Sequence, residues 1–230
     1  MPIFEYISHW LEKYLSYGML SQLFSGMRVT AAIFALTLLF SLPLGLLISF
    51  GRMSRFPPLK WAARIFISIM RGTPLMLQLM LIYFGPFYIF GIKLSDSYRF
   101  YAVIIGFSLN YSAYFAEIYR AGIDSIPAGQ YEAASVLGFT RAQTFLRIVL
   151  PQVVKRIMPP VTNETITLVK DTSLAYVISV FEMLAAARKM VAVGDVSVVP
   201  FIVVGVFYYI MNYVVAMIME LIEKKLDYYR

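Results

Sequence analysis

Long apolar runs separated by short polar ones dominate the chain. Five apolar segments cover roughly 24–50, 60–91, 99–120, 153–185 and 198–222. Each is near or above the about 20 residues a helix needs to cross a hydrocarbon core. The second and fourth exceed a simple span, and both contain polar interruptions. Ahead of them, Ile3, Tyr6, Ile7, Trp10, Leu11 and Tyr14 recur at helical spacing. That spacing predicts a short amphipathic helix within residues 1–20, lying at the membrane interface with its aromatics at headgroup level. Glu5 and Glu12, and the lack of an apolar core before a small-residue site, argue against a signal peptide there. The pattern predicts an all-α membrane protein of about five transmembrane helices. It forms a single domain over 1–230, with one long polar loop at 121–152.

Composition agrees. Hydrophobic residues make up 60% of the chain and charged residues 14%, against about 45–50% and about 25% in soluble domains. Cysteine is absent and His9 is the one histidine, so disulfide frameworks, thiol catalysis and histidine-based metal or triad chemistry are disfavoured. The net charge of +7 does not come from a basic module suited to nucleic acid. It reads instead as topology. Arg52, Arg55, Lys60, Arg64, Arg120, Arg141, Arg147, Lys155, Arg156, Lys224, Lys225 and Arg230 fall on one side, and Lys13, Arg28, Lys93, Arg99, Arg188 and Lys189 on the other. The richer side is cytoplasmic by the positive-inside rule. The 121–152 loop and the C-terminus are then cytoplasmic, and the N-terminus is outside.

The loop has a readable local design. Ser125-Ile126-Pro127 opens a helix with proline in its first turn. Gly138 suits the left-handed position just past the helix end. Thr140-Arg141-Ala142-Gln143 fits a capping box starting a second short helix to about Ile148, and Pro151 starts the next membrane element. The result is a helix-turn-helix.

Polar groups inside the apolar segments mark candidate chemistry. The fourth segment carries Asn163, Glu164, Thr167, Lys170, Asp171, Thr172 and Ser173. A charge at mid-bilayer costs about 2.5–3.5 kcal/mol on insertion scales, more than several leucines return, so these groups pair, meet water or bind a solute. Asn163, Thr167 and Lys170 share a helical face. Glu164 is a candidate solute ligand, its carboxylate suited to an ammonium or guanidinium; pairing with Lys170, Arg71 or another buried donor is the alternative. Lys170 and Asp171 suit a structural ion pair or a gate. Asp171-Thr172-Ser173 and Thr73-Pro74 both read as helix starts, which near mid-membrane can aim positive ends at a carboxylate; a simple proline kink is the other reading at 71–74. In the third segment Asn110, Tyr114 and Glu117 line one face, facing either a pathway or other helices.

Glu132-Ala133-Ala134, Gly138 and Ile148-x-Leu150-Pro151, at this spacing over twenty residues, resemble the cytoplasmic docking loop of ABC-importer permeases. Arg71-Gly72-Thr73-Pro74-Leu75, Glu117-Ile118-Tyr119-Arg120-Ala121-Gly122 with Pro127-Ala128-Gly129-Gln130, and Lys170-Asp171-Thr172-Ser173-Leu174 resemble the subfamily for polar amino acids of the histidine, glutamine and arginine type. The likeness covers roughly residues 20 to 225. It implies a prokaryotic plasma-membrane permease that works with a pair of ATP-binding subunits, a second permease subunit and an extracytoplasmic solute-binding protein. ATP and Mg would be bound by the partner ATPase; the chain itself has no cofactor. No lysine is followed by Ser or Thr, so a P-loop G-x4-G-K-[ST] is not present, in keeping with a transporter subunit that is not itself an enzyme. The resemblance makes Glu132, Ala133, Ala134, Leu137, Gly138 and Arg141 the ATPase-docking residues. Glu164, Asn163, Thr167 and Asn110 are candidates for binding the polar amino acid. Arg71, Lys170, Asp171, Thr172 and Ser173 are gate or structural groups. A secondary transporter or channel subunit is the rival reading; it accounts for buried charge but not for the loop.

Overall fold

The computed structural model describes residues 17–193 and 198–226. The amphipathic helix expected within 1–20 lies almost wholly outside the described residues. All regular structure among those described is helical. The helices are α1 (Tyr17–Met53), α2 (Pro57–Gly72), α3 (Leu75–Phe90), α4 (Tyr98–Asp124), α5 (Ala128–Val136), α6 (Arg141–Thr144), α7 (Leu150–Asp171), α8 (Met183–Val193) and α9 (Val199–Leu226).

Helix α1 is built the opposite way round from a soluble helix. Thr30, Thr37, Ser41 and Ser49 are fully buried, while Leu39, Phe40, Leu47 and Phe50 are exposed. Small and hydroxylated residues let helices approach closely, and large apolar ones face lipid at no cost.

By length and hydropathy, Gly18–Met53 and Val199–Leu226 can each cross a membrane, and the bent pair Pro57–Gly72 plus Leu75–Phe90 has the composition of one broken span or of a re-entrant loop. The five-segment expectation does not carry over one to one. In α4 the apolar run is diluted by Arg99, Asn110, Glu117 and Arg120. The 153–185 segment is not a single helix. Helix α7 ends at Asp171, a 3-10 helix covers Thr172–Ile178, and Ser179 turns left-handed at φ 60°. A helix does start at Thr172 as expected, but it is a 3-10 helix with no side-chain cap; the Thr172 and Ser173 hydroxyls each donate at 2.7 Å back to the carbonyl three residues before, on Val169 and Lys170. The start of α8 lies at Glu182, whose carboxylate accepts from the backbone N–H groups of Leu184 and Ala185 at 2.7 Å each.

The chain divides into two compact units. One holds residues 17–36, Met76–Ile104 and Leu168–Tyr213. Its core is Leu23, Met183, Ala186, Ala187 and Val204, surrounded by Met19, Met27, Met190 and Met211. Glu182 is fully buried beside it and also accepts from the Tyr208 hydroxyl at 3.0 Å, while Thr30 Oγ1 accepts from Met183 N at 3.3 Å. The start of α8 is thus pinned to α9 and α1.

The other unit holds Thr37–Leu75, Ile105–Thr167 and residues 214–226. Phe107, Tyr111 and Phe115 are its large buried side chains, with the rings of Phe107 and Tyr111 stacked at 6.4 Å. Ile67, Ala113 and Ala116 join α2 to α4, and Ile126, Val149 and Val153 join the polar loop to α7. Every group considered below belongs to this second unit unless stated.

Candidate functional site

The polar loop folds as a helical hairpin. Helix α5 begins after Pro127 and closes on Leu137. Gly138 takes φ +77°, its N–H donates to Ser135 O, and Phe139 N donates to Ala134 O, both at 3.0 Å. This is a Schellman ending, which satisfies carbonyls the helix leaves open. Thr140 then caps α6 in a full capping box: its hydroxyl accepts from Gln143 N at 3.3 Å, and its own N–H donates to Gln143 Oε1 at 2.9 Å. Both features follow the sequence pattern. The second arm differs from expectation. It does not stop at Ile148; a π-helical turn, Phe145–Val149, carries it into α7. Pro151 has no N–H to give to the preceding turn, and a widened turn accommodates that loss. Gln152 Nε2 adds a bond to Ile148 O at 2.9 Å in the same turn.

The hairpin presents an unusual surface. Val136 is 88% exposed and Leu137 73%, and Tyr131 and Leu146 are also open. Glu132, Ala133 and Arg141 are exposed near them, whereas Ala134 is buried and packs inward. Apolar side chains ringed by charge on an exposed hairpin have the character of a contact surface.

Its roots are fixed. Glu117 accepts from Arg120 at 2.8 and 3.1 Å and lies 3.7 Å from Arg52 at the end of α1. Arg120 also pairs with Asp124 at 2.6 Å. Arg156 on α7 donates to Ser125 O and, at 3.0 Å, to Ser125 Oγ. Gln152 Nε2 donates to Gln130 Oε1 at 3.2 Å. Two α7 side chains therefore grip the first arm of the hairpin, while the second arm is continuous with α7.

A cavity of about 510 Å³ opens above this root. Arg71, Tyr114, Glu117, Arg156 and Glu164 bring charge and a hydroxyl to its wall, and Gly122, Ile157 and Pro160 give it apolar surface. The Arg71 guanidinium lies over the Tyr114 ring, 5.1 Å from its centroid. Gly122 is needed here because a Cβ would sit 2.2 Å from Ile157 Cγ2. Pro159 and Pro160 lie within α7 beside the cavity. Each removes a helical hydrogen bond and allows a bend there.

Of the residues expected to bind solute, Glu164 lies on the cavity wall with Arg71. Asn110 is buried, and its side-chain amide donates to Met70 O at 3.0 Å, holding the end of α2. Asn163 is exposed on α7, and the Thr167 hydroxyl donates to its carbonyl at 2.9 Å. Neither lines this cavity. Lys170, Asp171, Thr172 and Ser173 belong to the other unit, at the junction of α7 and the 3-10 helix. Sequence reading missed Arg156, which was counted only as topology, and the Pro159–Pro160 pair. It also missed Glu182, although an acid followed by Met-Leu-Ala-Ala-Ala in an apolar run carried the signal.

A helical chain with large apolar residues outside and small polar ones inside, a charged cavity and an exposed rigid hairpin is, by class, the membrane part of a solute transporter. The family described as binding-protein-dependent transport system inner membrane component matches residues 41–228, and the chain belongs to it. These are the permease subunits of ABC importers. The chain is 37% identical over 205 residues to the L-cystine transport system permease protein TcyB of Bacillus subtilis (strain 168), covering 89% of this chain and 86% of that one. It is 36% identical over 201 residues to the arginine transport system permease protein ArtQ of the same organism, covering 87% and 90%. A crystal structure of an amino acid ABC transporter with histidines superposes with a TM-score of 0.84 at 32% identity, covering 92% of this chain and 98% of that one.

Proposed function

We propose that this permease imports a polar amino acid, which passes through the cavity lined by Arg71 and Glu164. The carrying observation is that one cavity wall holds both a guanidinium and a carboxylate. Arg71 suits the α-carboxylate of an amino acid and Glu164 its α-ammonium or a cationic side chain. The relatives named for cystine and arginine transport support the amino-acid class.

The energy comes from elsewhere. A pair of ATP-binding subunits, holding ATP and Mg, engages the hairpin through Glu132, Ala133, Leu137, Gly138 and Arg141, with Ala134 forming its packed base. A second permease subunit completes the pathway, and an extracytoplasmic binding protein delivers the solute. The distribution of Lys and Arg supports a cytoplasmic hairpin and C-terminus, an outside N-terminus and about five membrane passages in total. The family match runs through both compact units, which supports one permease domain.

Coupling follows from the ties already described. Helix α7 carries the hairpin's second arm, its grips on the first arm, and Arg156, Ile157, Pro160 and Glu164 of the cavity. A displacement of the hairpin therefore moves one cavity wall, and the two prolines permit the bend. This is how alternating access is driven from the cytoplasmic side.

Reconstituted transport of radiolabelled arginine, glutamine and cystine with Glu164→Ala tests the site. The expected result is lost uptake with unchanged capture of the ATP-binding subunits. Full uptake of every amino acid the native chain carries would remove Glu164 from the pathway.

A further inference from the structure

A second charged cavity, of about 460 Å³, sits at the turn between α1 and α2. Ser54, Arg55, Lys60, Trp61 and Arg64 line it, and among the described residues no carboxylate does. Among the described residues, none of the three cations has an ion pair. Arg52, their neighbour, is different: it faces Glu117 at 3.7 Å. The same contact places this turn at the end of α4 from which the docking hairpin springs.

The surroundings are those of a membrane interface. Phe56 is 63% exposed and Trp61 59%, and Leu59 and Ile65 are open as well. Aromatic and apolar side chains left bare beside charge mark the headgroup layer, where one end of a group is dry and the other wet. Trp61 has a second role. The Arg64 guanidinium lies 5.3 Å from its ring centroid, which orients the cation toward the cavity. Three like charges converging without an acid repel one another unless an anion sits between them. In this layer the abundant anion is a lipid phosphate.

We propose that this cavity binds the phosphodiester headgroup of an anionic phospholipid, with Arg55, Lys60 and Arg64 as its ligands. An acidic segment of a protein partner would carry the charge equally well. It would not explain the bare Phe56, Leu59, Trp61 and Ile65, which suit acyl chains. A bound headgroup would anchor the base of α2, the helix whose far end carries Arg71.

The test is native mass spectrometry on the purified full chain, titrated with phosphatidylglycerol and, separately, with phosphatidylcholine. The native chain should retain phosphatidylglycerol in preference. The double variant Lys60→Ser/Arg64→Gln should lose about 30-fold in that binding, the change two cations carry at an anionic surface. Lys224→Gln, a basic change at the end of α9, should bind as the native chain does. Thermal unfolding in phosphatidylcholine shows whether the double variant is folded. If it is not, Lys60→Ser alone should still lose about fivefold. Equal retention of the two lipids, or unchanged phosphatidylglycerol binding by the variants, overturns the proposal. Displacement of the lipid by millimolar inorganic phosphate would make this a site for free phosphate instead. Loss of ATP-binding-subunit capture with lipid binding intact would assign it to a protein partner.

Discussion

Gly138 offers a clean perturbation of the hairpin proposed to dock the ATP-binding subunits. Its φ of +77° lies in the left-handed region, yet a Cβ built there meets nothing within 4 Å. Gly138→Ala therefore adds backbone strain and no collision. Placing an L-residue in that region costs about 1–2 kcal/mol, which is about a 5- to 30-fold shift against the closed turn. The turn is held by the N–H groups of Gly138 and Phe139, bonded to Ser135 O and Ala134 O at 3.0 Å each. Amide hydrogen exchange on the full chain should accelerate at those two positions by about the same factor. Asparagine tolerates the left-handed conformation better than alanine, so Gly138→Asn should fall between Gly and Ala. Val136 and Leu137 are presented by this turn, so capture of the ATP-binding subunits should weaken in the same order. If alanine and asparagine exchange alike, or if capture is unchanged in Gly138→Ala, the claim that the left-handed turn presents the docking surface is wrong.

Further outcomes follow from the same geometry. Glu182→Ala strips the acceptors from two α8 backbone N–H groups and from Tyr208; it should cost about 1–3 kcal/mol, read as a lower thermal midpoint in detergent, with Glu182→Gln milder because one acceptor remains. Gly122→Ala puts a methyl 2.2 Å from Ile157 Cγ2 and should cost about 1–3 kcal/mol; adding Ile157→Leu, which lacks that methyl, should return part of the loss, and strict additivity in the double-mutant cycle would contradict the packing described. Glu132→Lys reverses a charge on an exposed face, so the chain's stability should stay within about 0.5 kcal/mol while pull-down of the ATP-binding subunits falls; undiminished pull-down would take Glu132 out of the docking surface.

The hairpin over 128–149 was legible because it is local. Pro127, Gly138 and the Thr140–Gln143 pair each act within a few residues of themselves, so their spacing announces the turn and the caps. The overall helical, lipid-facing character was legible for the same reason, since it depends on composition and run length. Helix breaks inside the apolar runs were harder. A helix does begin at Thr172, but it is a 3-10 turn, and the Thr172 and Ser173 hydroxyls bond back into α7 instead of capping that turn. The start of α8 at Glu182 depends on burial among residues far away in sequence.

The sequence by itself therefore determined an all-helical membrane protein with a capped polar hairpin, because periodicity, hydropathy and capping chemistry are short-range properties; the permease class rested on the resemblance of its motifs. Only the tertiary structure decided that Arg71, Glu164 and Arg156 share one cavity wall and that Asn110 instead secures the Met70 carbonyl. It alone decided that α7 grips the hairpin through Arg156 and Gln152. Those pairings join positions 22 to 40 residues apart. They follow from which helix faces pack together, which the spacing of residues along one helix does not reveal.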